Sequence, residues 1–199
     1  MKFRCFPALA PALIALVAMF SVAQETLAQT APRVKFATTA GDFVVEVYPD
    51  KAPKTAENFL QYVNDKHYDG TIFHRVIDNF MVQGGGFDAR YSEKKTRAPV
   101  AHEGREALAK GGPKNVVGTL AMARTNDPHS ATAQFFINVK DNAFLDPTAQ
   151  QPGYTVFGKV VSGMEVVQKI KTTPTGAGGP FPSDVPKTPI LINSATLVK

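Results

Sequence analysis

Cysteine is nearly missing from this chain of 199 residues: Cys5 stands alone. No internal disulfide can staple the fold, so stability has to come from a packed core. Excess charge is also scarce. The formal net charge is +5, and the basic residues are dispersed apart from Lys94-Lys95-Thr96-Arg97, which reads as a solvated loop. Nucleic-acid binding wants a basic stripe interleaved with stacking aromatics; this chain has none, and nucleic acid is not an expected partner. His67, His74, His102 and His129 are scattered, with no acid or cysteine at ligand spacing, which argues against a metal site. Gly84-Gly85-Gly86 is followed by no Lys-Ser/Thr, so it reads as a flexible turn and not a phosphate loop. No Gly-x-Ser-x-Gly elbow surrounds Ser130 beside His129, which disfavours a serine hydrolase. There is no repeat, and no linker long enough to divide the chain.

Long apolar runs are absent after the first residues. Lys2 and Arg4 precede an apolar stretch, Phe6–Phe20, and small residues come next at Ser21-Val22-Ala23 and Thr26-Leu27-Ala28. That order is the pattern of a secretory signal peptide. A membrane anchor is the alternative, but the run falls short of the roughly 20 residues that span a bilayer, and Pro7 and Pro11 weaken it as a helix. The expectation is a signal over residues 1–28, with cleavage after Ala23 as the other option, and one domain over residues 29–199. Cleavage after Ala28 removes Cys5, Lys2, Arg4 and Glu25, leaving 20 basic and 16 acidic residues and a net charge of +4. The protein is then expected in the periplasm, as a monomer without stable membrane association.

Short strands dominate the rest of the chain. Val34, Phe36 and Thr38 alternate with Lys35 and Ala37, Thr39-Ala40-Gly41 turns the chain, and Phe43, Val45 and Val47 alternate again, a hairpin signal. Pro53 can open a helix, and Ala56, Phe59, Leu60 and Val63 recur at helical spacing, predicting an amphipathic helix over Pro53–Asp65. Apolar runs at Ile72–Ile77, Phe80–Gln83, Thr119–Met122, Gln134–Val139 and Thr155–Val161 predict further strands. Ser162 and Glu165 have capping-box spacing ahead of a second helix carrying Val166, Val167 and Ile170. Pro174–Pro189 reads as a loop and Ile190–Val198 as a last strand. About eight strands and two helices suggest a mainly β protein, a closed antiparallel barrel with helices plugging it.

One segment concentrates chemistry: Phe73-His74-Arg75-Val76-Ile77, the turn Asp78-Asn79, then Phe80-Met81-Val82-Gln83. If the two halves pair as strands, Arg75, Met81 and Gln83 share a face, which sets a cation, an amide and a thioether around one hollow. Arg75 alone would read as a surface salt bridge, and Phe135, Phe136 and Phe157, taken singly, as core.

Together these segments closely resemble the cyclophilin family. Phe-His-Arg-Val-Ile, Phe-Met-Val-Gln-Gly-Gly, Gln-Phe-Phe-Ile at 134–137 and Val-Phe-Gly-Lys-Val at 156–160 occur in order, and the likeness runs from Val34 to Leu197. Ala-Met-Ala-Arg at 121–124, Asn-Ala-Phe-Leu-Asp at 142–146 and the signal resemble its secreted bacterial branch. The resemblance implies a closed eight-stranded antiparallel β-barrel capped by two α-helices. It also implies peptidyl-prolyl cis/trans isomerase activity on proline-containing, unfolded or partly folded polypeptides, without a cofactor. It makes Arg75 the catalytic residue. Phe80, Met81, Phe136 and Leu145 would line the proline pocket, with Gln83 and Gln134 beside it. Ala123 and Arg124 would present backbone to the substrate, and Phe144 and Tyr154 would stand at the rim. Phe144, Tyr154 and Arg124 replace the Trp, His and Asn of many eukaryotic members, which implies only weak cyclosporin binding. A non-catalytic peptide-binding or holdase module on the same barrel remains the alternative; such a module can lose the arginine and keep the groove.

Overall fold

Alternation of apolar and polar residues builds the first hairpin of the computed structural model, which describes residue 1 and residues 31–198. The expected signal and its cleavage point lie outside the described residues. Strand β1 (Arg33–Thr38) buries Val34, Phe36 and Thr38, and β2 (Gly41–Val47) buries Phe43, Val45 and Val47. Phe36 sits opposite Phe43 in the ladder, their rings stacked with centroids 5.0 Å apart. Strands β3 (Thr71–Ile77), β4 (Met81–Asp88), β5 (Thr119–Met122), β6 (Phe135–Asn138), β7 (Val156–Ser162) and β10 (Leu191–Val198) complete a closed barrel in the order β1-β10-β3-β4-β6-β5-β7-β2. Every neighbouring pair is antiparallel. Closure comes from β1, which pairs with β2 on one side and with β10 on the other, Arg33 lying opposite Val198.

Helix α1 (Pro53–Asn64) begins at its proline and ends one residue earlier than its spacing predicts. Its inner face is Thr55, Ala56, Asn58, Phe59, Tyr62 and Val63, whereas Leu60 is only half-buried. Phe59 enters the barrel core against Phe36, Tyr68, Phe135 and Phe157, at ring separations between 4.9 and 6.3 Å. Ala52 cannot cap the helix N-terminus with its side chain. Glu103 does so from a distant loop: its carboxylate accepts from Lys54 N at 3.2 Å, Thr55 N at 2.8 Å and Thr55 Oγ1 at 2.7 Å. Glu103 itself opens α2 (Gly104–Ala109), a short third helix that the sequence pattern does not predict.

Three other expectations are corrected. Helix α3 (Met164–Lys171) carries the expected Val167 and Ile170, but Ser162 is not its cap. That residue is held in the β7 ladder opposite Val44, and Gly163, at φ 79°, makes the turn into the helix. The Pro174–Pro189 segment is not a plain loop. It forms a separate hairpin of β8 (Thr175–Gly178) and β9 (Phe181–Pro186), anchored by buried Val185 and by Phe181. Last, Gly84-Gly85-Gly86 is not a flexible turn but the buried middle of β4. A Cβ at Gly85 would meet Tyr68 at 2.8 Å and one at Gly86 would meet Gln134 at 2.6 Å. These glycines are required for close packing.

Candidate active site on the outer barrel wall

Strand alternation divides β4, β5 and β6 between two apolar clusters. Val82, Leu120, Met122, Phe135 and Ile137 join the barrel core, while Met81, Ala121 and Phe136 join Leu145 and Val156 in a second cluster. Phe80, Ala123 and Tyr154 pack against that second cluster. Arg75 lies directly opposite Gln83 in the β3–β4 ladder, so the two side chains share a face. The register shifts on either side of Phe73, and Arg75 is exposed while its neighbours His74 and Val76 stay buried. The β3–β4 turn places Asn79 at φ 59°, the left-handed conformation that asparagine tolerates.

The result is a hollow of about 180 Å³ lined by Arg75, Phe80, Met81, Gln83, Ala123, Arg124, Phe136, Leu145 and Tyr154. Two further residues predicted from sequence lie just outside it. Gln134 accepts a hydrogen bond from Gln83 Nε2 at 3.0 Å, fixing that amide. Phe144 is 64% exposed and stacks on Phe80, ring centroids 5.6 Å apart, as an extension of the rim. Arg75 has no hydrogen-bond or ion-pair partner among the described residues, so its guanidinium fork is available to a guest in the hollow.

Arg124 contributes more than backbone. Its Nε and Nη2 donate to the Gly153 carbonyl at 3.1 and 2.9 Å, its Nη1 donates to the Thr125 carbonyl at 2.8 Å, and the guanidinium lies 4.5 Å from the Tyr154 ring centroid. Tyr154 in turn meets Phe136 edge-on at 5.5 Å. The Arg124 guanidinium therefore holds the wall of the hollow. The Ala123 N–H is occupied by the Gln134 carbonyl at 3.0 Å. The Ala123 carbonyl and the Arg124 N–H have no backbone partner among the described residues.

Several supports escape sequence reasoning. A buried polar chain fixes the 3₁₀ turn Ala143–Leu145, which carries Phe144 and Leu145. Asp146 accepts from Asn115 N and Nδ2 at 2.8 and 3.0 Å, and Asn138 Nδ2 donates to Asn115 and Thr119. Asn142 Nδ2 donates to Asn138 Oδ1 at 2.7 Å and to the Phe80 carbonyl at 2.9 Å, tying the two sides of the hollow together. The Asn-Ala-Phe-Leu-Asp run marks part of this chain, but only folding joins it to Asn115. Behind Arg75, His74 is buried between Phe87 at 4.8 Å and Phe181 at 5.4 Å, and its Nδ1 has no hydrogen-bond partner. Burial above all lowers its pKa from the usual 6.5 to about 4; the Ile72 backbone opposes that shift, and the charge of Arg75 adds a smaller push downward. The imidazole is thus neutral at physiological pH. Among the described residues no group of three His, Cys, Asp or Glu side chains is placed to hold a metal ion.

Comparison with known proteins gives a consistent picture. Residues 33–197 match the family model described as cyclophilin type peptidyl-prolyl cis-trans isomerase/CLD. The chain is 54% identical over 168 residues to a peptidyl-prolyl cis-trans isomerase of Streptomyces antibioticus, covering 83% of this chain and 98% of that one. It is 52% identical over 167 residues to peptidyl-prolyl cis-trans isomerase B of Escherichia coli, covering 82% and 98%. In fold it is similar to a Cryptosporidium parvum cyclophilin type peptidyl-prolyl cis-trans isomerase, with a TM-score of 0.67 at 24% identity over 85% of this chain and 98% of that one. A second structure of that protein, in the presence of the dipeptide Ala-Pro, has a TM-score of 0.66 at 24% identity and covers 84% of this chain and 99% of its own.

Proposed function

The chain belongs to the cyclophilin-type peptidyl-prolyl cis-trans isomerase family and is a peptidyl-prolyl isomerase; on that premise we propose that Arg75 performs the catalysis, on X-Pro bonds of exported polypeptides. The observation that carries this reading is the hollow itself, lined by Phe80, Met81, Phe136 and Leu145, with the guanidinium of Arg75, unpartnered among the described residues, on its edge.

Rotation about an X-Pro bond meets a barrier of roughly 18–20 kcal/mol because the amide is conjugated. No covalent bond is made or broken, so neither nucleophile nor metal is needed. At the top of the barrier the prolyl nitrogen is pyramidal and carries a localised lone pair. A guanidinium aimed at that lone pair binds the twisted amide better than either planar form, which is differential transition-state binding. Phe80, Met81, Phe136 and Leu145 hold the pyrrolidine ring by burial while the preceding residue swings. Gln83, its amide N–H₂ engaged by Gln134, keeps a carbonyl oxygen and a second amide proton to orient the substrate backbone. The Ala-Pro relative supports a proline-bearing ligand for this fold.

The test is kcat/KM on a short Ala-Pro peptide. Arg75→Ala loses about a hundredfold or more, the scale of removing one preorganised donor, with circular dichroism unchanged. Arg75→Lys rescues poorly, because a point charge lacks the fork. Near-parent activity in folded Arg75→Ala would remove Arg75 from the mechanism and favour a binding module.

The export reading rests on the basic, apolar and small-residue order of residues 1–28. No helix among the described residues is long and apolar enough to cross a membrane. N-terminal sequencing of protein released by osmotic shock should begin at Gln24 or Gln29; recovery of intact chain with the membranes refutes cleavage.

A further inference from the structure

The Lys94-Lys95-Thr96-Arg97 run is not a loosely solvated loop. Lys94 Nζ donates to the His67 carbonyl at 2.5 Å and to the Asp69 carbonyl at 3.1 Å. Arg97 N donates to Tyr62 Oη at 2.7 Å, and the Arg97 guanidinium is paired with Asp65. Pinned in this way, the loop forms one side of a groove of about 410 Å³, opposite Tyr62, Asp65, Lys66 and His67. The groove holds four cations, Lys66, Lys94, Lys95 and Arg97, against the single carboxylate of Asp65. Burial foremost, with Lys94 adding to it, lowers the pKa of His67. Among the described residues Lys66, Lys94 and Lys95 have no ion-pair partner, and the carbonyls that fix Lys94 leave its charge unneutralised.

This groove continues the catalytic hollow. A middle stretch of about 360 Å³ shares Gln83, Ala123 and Arg124 with the hollow, and shares Thr96 with the basic groove. Glu93 lines that middle stretch and offsets the charge of Arg124 there, so an excess of positive charge is met again only in the basic groove beyond it. Resting on the isomerase reading of the hollow, we propose that the basic groove is a docking track for acidic segments of the client chain, carried at a distance from the proline being isomerised. The ligand is a run of Asp or Glu side chains on the same polypeptide as the proline, held by Lys94, which is fixed before binding, and by the exposed Lys66 and Lys95 beside it.

The experiment uses peptides with one Ala-Pro bond and a three-residue Glu run at increasing separation on either side, each matched by a Gln version. Isomerisation is read by exchange NMR and affinity by fluorescence anisotropy. In at least one distal register the Glu peptide binds about three- to tenfold tighter than its Gln partner at about 20 mM salt, and most of the gain vanishes near 0.5 M salt, as expected for exposed pairs. A Glu run in a register that ends at Glu93 gains less. The double variant Lys66→Glu with Lys95→Glu alters two exposed side chains outside the hollow, abolishes the distal preference and leaves kcat/KM on a short Ala-Pro tetrapeptide unchanged. Equal binding of Glu and Gln peptides in every register, or a preference that survives the double variant, overturns the proposal. Absence of turnover on the tetrapeptide by the parent protein would instead count against the isomerase reading of the hollow, and loss confined to the double variant would overturn the separation of groove from hollow, so the failures are distinct.

Discussion

Arg75 and Arg124 line the same hollow but differ in role. Among the described residues the guanidinium of Arg75 is unpartnered, whereas that of Arg124 donates three hydrogen bonds to the carbonyls of Gly153 and Thr125 and lies over Tyr154. Arg124 is therefore a positioning residue, acting through Tyr154 on the ring of Phe136. Arg124→Ala should raise KM for a short Ala-Pro peptide about tenfold, the value of one or two lost polar contacts and a cation–π pair of roughly 1–1.5 kcal/mol together. Its kcat should fall far less, because the group at the twisted nitrogen is untouched. Arg124→Lys should recover little of the loss, since one ammonium cannot serve two carbonyls and an aromatic face. A fall confined to kcat would show that Arg124 acts on the reaction itself.

Elements with a strict period could be read directly from the chain, and elements held by distant partners could not. The β1–β2 hairpin and α1 follow from alternation and from the Pro53 start, and the Arg75–Gln83 face follows from pairing two runs around one turn. The β8–β9 hairpin lies among prolines and glycines, and its anchor, Phe181 on His74, spans more than a hundred residues of chain. No local pattern encodes that contact. The cap of α1 is hidden for the same reason: Ala52 offers no oxygen, and Glu103 arrives from α2. Glu103→Ala leaves two helical N–H groups and the Thr55 hydroxyl without their acceptor in a buried setting, at a cost of about 2–4 kcal/mol. Glu103→Gln keeps one acceptor oxygen and should lose roughly half of that. Urea midpoints at constant slope measure both, and equal stability of Glu103→Ala and parent would mean that solvent caps the helix instead.

Across the whole molecule, acid should be more damaging than the modest net charge suggests. Burial lowers the pKa of His67, His74 and His102 alike. An unfolded chain binds protons at each near the ordinary 6.5, so below about pH 6.5 it holds more protons than the folded barrel, for His74 down to about pH 4. Stability present above pH 6.5 is accordingly lost as the pH falls through that window. His74 alone accounts for on the order of 3 kcal/mol by pH 4. Urea midpoints at pH 7.5, 6 and 5 should decline in that order, and His74→Phe should flatten the decline. A parent whose midpoint is level from pH 7.5 to 5 would refute the assignment.

The β1–β10 seam also sets a clock. Arg33 and its neighbours find their second partner only in Ser194–Val198, so during synthesis the opening strand waits, one side unmatched, until β10 has been made. Loop closure over that span is entropically slow compared with forming the local hairpins. The nascent polypeptide thus stays open while its translation proceeds, and the barrel locks only as the final strand arrives. Trimming a handful of residues from the end of β10 removes that lock without touching the hollow. Ribosome-tethered chains of graded length should therefore acquire protease resistance abruptly, at the length that frees Val198 from the exit tunnel.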